Sequence, residues 1–250
     1  MKYLIKETVW EEMVVFFRGL KGIHRKNECQ LRQFIEGCVY LLKSGCQWRL
    51  LPPDYGDWRA VHRRFKRWSD RGIWSQFLAF FQDDPDLESV MADATIVRAH
   101  ACAAGYGKDR QAQEALGRSK GGFTTKIHAL VDALGNPLKF ILTGGNRNEI
   151  TQATELVEGI KKAYVLADKG YDSNQFIETL ENQQCIPIIP PRKNRKNQRT
   201  YDKEQYKERH LIECFFGKIK YFRRIFSRFD KSALIYKAFL EFAATLIWLK

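Results

Sequence analysis

Apolar positions along the chain fall into two stretches, one of helical period and one in which strand and helix periods alternate. Up to about residue 84 they recur at helical spacing, and segments near Lys6–Arg18 and Glu28–Leu42 read as helices. Gly45 and the Pro52-Pro53 pair break that pattern. Asp57 can cap a helix over Trp58–Arg71, on which Trp58, Val61, Phe65 and Trp68 share one face. Gly72 stops it, and Ile73–Phe81 can form another helix. The run Asp83-Asp84-Pro85-Asp86 reads as a turn and a domain boundary. Beyond it, Ser89–Val97, Lys126–Val131 and Pro137–Thr143 predict strands, the last two joined by a turn over Asp132–Asn136. Glu149–Lys161 predicts a helix, Tyr164–Ala167 a short buried strand, Ser173 the start of a helix and Cys185–Ile189 a fifth strand. Helices follow at about Tyr206–Tyr221 and Ser232–Leu249. This order predicts an α/β fold, a mixed sheet flanked by helices over residues 85–250. A small all-α, helix-turn-helix-like domain over residues 1–84 precedes it.

Composition narrows the setting. The chain has 250 residues, of which 44% are hydrophobic, enough to build a core and to exclude wholesale disorder. The most apolar stretch, Ala233–Leu249, carries Lys237 and Glu241 at helical spacing, so it predicts a packed helix rather than a membrane span. The first residues lack the apolar core of a signal peptide, and an intracellular protein without a membrane partner is expected. The six cysteines form no CxxC pair, and reduced thiols are expected.

Charge changes the picture more. The net charge is +13, which favours a polyanion partner, nucleic acid first. Asp57–Arg71 holds a net +4 and Pro191–Arg228 a net +9, so two short windows carry the entire excess. In the first, Arg59, Arg63 and Arg67 lie off the aromatic face and are candidate DNA contacts; a plain amphipathic helix is the alternative. In the second, Arg192, Lys193, Arg195 and Lys196 are candidate contacts to a DNA backbone, against a merely disordered basic loop.

Three acids stand out within this layout. Asp93 interrupts an apolar strand, where a charge must be paired, hydrated or bound to metal. Asp168 ends the Tyr164–Ala167 strand, and strand C-termini are where such sheets place ligands. Glu213 lies on the penultimate helix, where Tyr206, Arg209, Glu213 and Lys220 fall within roughly 60° of one another at about 100° per residue. Arg209 and Glu213 are also four apart, so simple surface pairing is the competing reading. Converging carboxylates suit two hard divalent cations, which can activate a water or sugar hydroxyl and stabilise a leaving phosphodiester oxygen. Asp172 and Asp132 are weaker alternatives, and His100, His128 and His210 read as structural histidines before ligands. The Gly117–Gly122 segment lacks the Walker pattern and is expected to be a mobile DNA-contacting loop.

These residues carry a resemblance. Tyr206, Arg209, Glu213 and Lys220 match the Tyr-x2-Arg-x3-Glu-x6-Lys signature of insertion-sequence transposases of the DDE superfamily. The segments around Asp93–Thr95 and Asp168–Asp172 resemble its first and second Asp motifs. Gly45–Trp58 with Arg63–Trp68 resembles the N-terminal domain of the insertion sequence five group. The resemblance implies a ribonuclease H-like catalytic core in which Asp93, Asp168 and Glu213 coordinate two Mg2+ ions, with Mn2+ able to substitute. It implies hydrolysis at the element's terminal inverted repeats and transfer of the freed 3′ hydroxyl to target DNA. Tyr206, Arg209 and Lys220 would position DNA near the cut. It further implies a homodimer or higher oligomer in the synaptic complex with double-stranded DNA, in the cytoplasm of a prokaryote beside the nucleoid. Only about Pro190–Gln205 separates the fifth strand from the Glu213 helix, so a large insertion domain is not expected.

Overall fold

The computed structural model describes residues 4–22, 27–105 and 113–249. Helix α1 (Glu7–Gly19) is followed by α2 (Glu28–Ser44), whose first turn is capped by the Asn27 side chain accepting from the Gln30 amide. Gly45 ends α2 in the left-handed region, at φ 66°, which glycine adopts without the steric cost of a Cβ. The Asp57 carboxylate accepts from the amides of Arg59 and Ala60 and caps α3 (Trp58–Asp70). Val61, Phe65 and Trp68 are buried on α3, as their spacing predicts. Two residues, Arg71 and Gly72, separate α3 from α4 (Ile73–Phe81).

The sheet is built on β1 (Ser89–Ala99), which is antiparallel to β3 (Gly122–Val131) and parallel to β5 (Tyr164–Ala167). On one side β3 pairs β4 (Pro137–Gly144); on the other β5 pairs β6 (Ile186–Ile188) in parallel. The order β4-β3-β1-β5-β6, antiparallel then parallel, is the ribonuclease H-like arrangement expected from the resemblance. The turn between β3 and β4 is stabilised by Asp132, whose carboxylate accepts from the Leu134 and Asn136 amides. Asp132 is thus a turn residue.

Two expectations are corrected. Residues 117–119 form a strand, β2 (Gly117–Ser119), paired with β3, instead of lying in a mobile loop. Gly117 sits there because a Cβ would stand 2.1 Å from the Asn146 side-chain oxygen. The helix expected over Glu149–Lys161 is a 3-10 turn (Glu149–Gln152) and a single helical turn, α5 (Ala153–Leu156). Thr151 bonds its hydroxyl back to the Asn148 carbonyl at 2.6 Å, which competes with helical pairing, and Gly159 at φ 87° turns the chain away.

Helix α6 (Asn174–Asn182) leads to β6, and residues 189–202 then run without regular structure. A nearly continuous helical stretch follows: α7 (Lys203–Tyr206), a 3-10 turn (Lys207–Arg209) and α8 (His210–Lys220). Next come α9 (Arg223–Phe226), the short β7 (Ser227–Arg228) on β1, and α10 (Ala233–Trp248). Helix α10 is the apolar segment, buried here by protein; no helix among the described residues is long and apolar enough to cross a membrane.

Secondary structure changes near residue 84, but the core does not break there. Phe239 of α10 stacks on Phe65 of α3 with ring centroids 4.2 Å apart, and Phe242 meets Trp74 of α4 at 4.9 Å. The same apolar cluster continues through Phe215 and Ile219 of α8 to Met91, Ile127 and Val131 of the sheet. A second cluster, including Val90, Ala92, Leu130, Val165, Leu156 and Leu180, covers the opposite sheet face. A buried polar cluster also crosses the divide: Arg224 donates to both Asp230 oxygens and to the Cys46 carbonyl, and the Trp48 indole donates to Asp230. Phe239→Ala should therefore cost about 3–5 kcal/mol. In urea it should move one cooperative transition, seen alike by tryptophan emission and far-UV dichroism; two separated transitions would contradict a shared core.

Candidate active site

Asp93 and Thr95 are two apart on β1 and point to the sheet face that α8 covers. The parallel register brings Ala92 opposite Ala167, so Asp93 and Asp168 follow as neighbours at the end of the β1–β5 pairing. Asp168 opens a 3-10 turn (Lys169–Tyr171) in which its carboxylate accepts from the Gly170 amide at 2.7 Å. Glu213 reaches the same region from the first turn of α8, with its side chain 59% exposed.

Arg209 joins two of the three acids. Its guanidinium donates to Asp93 at 2.8 Å and also to Glu213, while lying over the Tyr206 ring at 5.9 Å. Burial pushes the Asp93 carboxyl above the ordinary range; the Ala94 amide and Arg209 pull it back, and Asp168 adds to the rise. Burial opposes the charge on Arg209, but Asp93, Tyr206 and Glu213 outweigh it and raise its pKa. Lys220 donates to the Thr95 hydroxyl at 2.5 Å, and burial lowers its pKa. Tyr206 is half-buried, packs edge-on against Tyr201, and has its phenol pKa raised by burial. The polar stripe of the Glu213 helix thus faces Asp93 and Thr95 of β1. The surface-pairing alternative is half true, because Arg209 and Glu213 do pair, but the same guanidinium also holds Asp93.

All-oxygen donors of this kind fit a hard divalent cation, and the carboxylates already draw one positive group between them. Among the described residues no three Asp, Glu, His or Cys side chains stand close enough to enclose a metal. The acids match the expected cation in chemistry, with Arg209 as their present counter-charge.

The basic candidates separate into two kinds. Arg192 donates to the carbonyls of Lys169 and Gly170 at 3.2 and 2.9 Å, and Arg195 donates to Asp172 at 2.6 Å and to Asn174 at 2.6 Å. Lys193 and Lys196 are exposed. Together with Arg199 and Asp172, residues Arg192, Arg195 and Lys196 line an open cavity of about 640 Å³. On α3, Arg59, Arg63 and Arg67 are exposed, and Arg63 and Arg67 border a depression of about 390 Å³ with Arg64. The Arg64 guanidinium lies 4.4 Å over the Phe34 ring.

Several functional neighbours escaped sequence reasoning. Asp172, a weaker alternative for one of the acids, anchors Arg195 and Arg199. Tyr171 is fully buried beside the site and its hydroxyl has no hydrogen-bond partner among the described residues. Glu149 lies against the Asp168 turn, 3.5 Å from where a Gly170 Cβ would stand, and pairs with the buried Lys126 at 3.0 Å. Each of the three candidate histidines has a partner close by in the fold. His100 accepts from the Cys102 amide, His210 lies against the Lys207 carbonyl, and His128 meets the Thr143 hydroxyl.

Residues 85–247 match the model of the transposase DDE domain. The chain belongs to the DDE transposase family. Residues 5–78 of this DDE transposase match a second model, that of IS4/5-family transposases. A Brucella ovis protein named as a transposase for insertion sequence element IS6501 is 39% identical over 129 residues, covering 51% of this chain and 99% of that protein. A Burkholderia cepacia protein named as a transposase for insertion sequence element IS402 is 30% identical over 154 residues, covering 57% of this chain and 70% of that one. Among solved structures, the piggyBac transposase synaptic complex with hairpin DNA aligns at a TM-score of 0.40 and 13% identity, over 78% of this chain and 50% of that one.

His128 of the DDE transposase yields a pH prediction. Burial lowers its pKa from 6.5 to about 4, with Lys126 adding to the drop. Between those values the unfolded chain binds a proton that the folded chain refuses, so stability falls as pH drops through this window. The full loss is on the order of 3 kcal/mol. His128→Gln should flatten the decline in urea midpoint between pH 6.5 and 4, measured against the parent protein.

Proposed function

We propose that this DDE transposase binds the terminal inverted repeats of its element, cleaves at the element ends and joins the freed 3′ hydroxyl to target DNA. The observation that supports this reading is that Asp93 and Asp168 follow one another on adjacent parallel strands while one guanidinium, Arg209, joins Asp93 to Glu213 of α8, in a chain of this family. DDE transposases generally use divalent metals, and Asp93, Asp168 and Glu213 are the residues that would hold two Mg2+ ions here, or Mn2+ in their place. Bound there, the ions would supply an activated water or sugar hydroxyl and charge for the leaving oxygen.

The chain's own residues do the rest. Arg209 offers a guanidinium that can pass from the carboxylates to a substrate phosphate when the acids gain another counter-charge. Lys220, held by Thr95, brings a second positive group to the same sheet face. The Tyr206 ring, half-buried with its phenol protonated, presents a flat surface for a sugar or base. Residues 1–84 grip the element end through Arg59, Arg63 and Arg67, and residues 85–250 carry the chemistry. Two ends must be held together for joining, which calls for a homodimer or higher oligomer on DNA.

The decisive experiment supplies labelled DNA bearing the element's terminal repeats with Mg2+ or Mn2+. Both cut and joined products are expected. Cutting without joining would make the protein a nuclease, and binding alone would sink the enzymatic reading. Asp93→Asn should abolish cutting and joining while DNA affinity stays within about threefold; a mutant that still cuts would remove Asp93 from the site.

Salt dependence separates the two basic windows. Replacing Lys193 and Lys196 by Gln should weaken binding to all sequences and reduce the salt slope by about two. Replacing Arg63 or Arg67 by Ala should reduce discrimination of the terminal repeat more than nonspecific affinity, both read by fluorescence anisotropy on the two DNAs.

A further inference from the structure

The turn that presents Asp168 is held from outside by a strap of chain that lies far away in sequence. Asp172 closes this turn, its amide donating to the Lys169 carbonyl and the Tyr171 amide donating to the Asp168 carbonyl. The Asp172 carboxylate is fully buried, yet it carries three donors: the Arg192 amide at 2.8 Å, the Arg195 Nε at 2.6 Å and the Arg199 guanidinium. All three come from the irregular segment after β6. These bonds hold its pKa below the ordinary carboxylate value against the effect of burial. The contact is also made in the other direction. The Arg192 side chain forks onto the Lys169 and Gly170 carbonyls, and Gly170 is the residue whose amide fixes the Asp168 carboxylate. Any rotation of the Asp168 turn would break the Arg192 fork and leave Asp172 buried without its partners, which is strongly unfavourable.

We propose that Asp172 is a positioning residue: with Arg192, Arg195 and Arg199 it forms a strap that fixes the Asp168 carboxylate for metal. This rests on the reading of Asp168 as a metal-holding residue. The same guanidiniums line the 640 Å³ cavity, so the strap also ties a phosphate-attracting surface to the geometry of one site acid. Four basic side chains around one buried carboxylate leave a positive excess there. Their first duty is to the protein's own turn, and DNA meets what charge remains.

The test uses the full-length protein and the variants Asp172→Asn and Arg192→Lys, with Asp168→Asn as the control for the site. Arg192→Lys keeps the charge but removes the fork that spans two carbonyls. Three readouts are needed: amide hydrogen exchange over residues 168–172, Mn2+ affinity by electron paramagnetic resonance of the free ion, and affinity for terminal-repeat DNA without metal. Both variants should exchange at Gly170–Asp172 at least tenfold faster and bind Mn2+ at least fivefold more weakly. DNA affinity should stay within threefold for Arg192→Lys and should not fall for Asp172→Asn, which frees guanidinium charge. If Asp172→Asn does not fold, Arg192→Lys decides alone. Unchanged exchange, or faster exchange with unchanged Mn2+ affinity, would overturn the proposal. A wild-type protein that neither binds Mn2+ nor cuts would instead sink the metal reading of the site, and exchange at 168–172 would still report on the strap.

Discussion

A carboxylate in the middle of an apolar strand must be paired, hydrated or bound to metal, and at Asp93 the site is organised around a positive partner. Burial raises the cost of its charge, and Asp168 next to it raises the cost again. The answer comes from a helix more than a hundred residues further along the chain, through Arg209. To deliver that guanidinium the helical stretch from Lys203 must run over the β1 face, and the same path carries Tyr206, Glu213 and Lys220 with it. A pair of like charges held together at a strand end is therefore what makes the cationic stripe necessary. The stripe in turn ties a third acid, Glu213, to the guanidinium that holds Asp93.

Much of this was legible in the sequence, for identifiable reasons. The alternation of Val90, Ala92 and Ala94 against Met91, Asp93 and Thr95 places Asp93 on a definite face, and the helical offsets of Tyr206, Arg209, Glu213 and Lys220 place them on one stripe. Periodicity reports local geometry, and these are local facts. The Glu149–Lys161 segment misled because its apolar spacing suits a helix while Thr151 and Gly159 end one. The role of Asp172 was not readable, because its partners at Arg192, Arg195 and Arg199 are brought to it by α6 and β6 folding back. No spacing rule links a turn to a loop across a parallel crossover. The basic window itself was visible, but charge counting could not say that Arg192 and Arg195 are committed to the protein's own carbonyls and Asp172.

The two halves of the molecule relate in a way that motif reading also obscured. Family models meet on either side of the Asp83–Asp86 turn, and the change from helix to strand falls there too. Yet Phe65 of α3 and Trp74 and Phe77 of α4 each pack a ring against Phe239 or Phe242 of α10, and the Arg224–Asp230 pair is capped by Trp48 and Cys46 from the first half. A boundary in family content coincides here with a continuous interior. Movement of the helical segment relative to the sheet would open that interior, so the arginines on α3 and Asp93 on β1 are held at a set separation.

The place of α10 in this interior has a consequence for how the protein is made. Phe65 leaves the ribosome long before Phe239 exists, and until α10 arrives Phe65, Trp74 and Phe77 are packed by α1, α2 and Trp48, without the side that Phe239 and Phe242 cover. The helices that present Arg59, Arg63 and Arg67 thus reach their final packing only once the acids of the sheet and α8 have also been synthesised. A chain cut short before Ala233 would lack the partner of its first helices as well as its own end. Premature termination therefore leaves the α10-facing side of the first helices exposed, which favours aggregation.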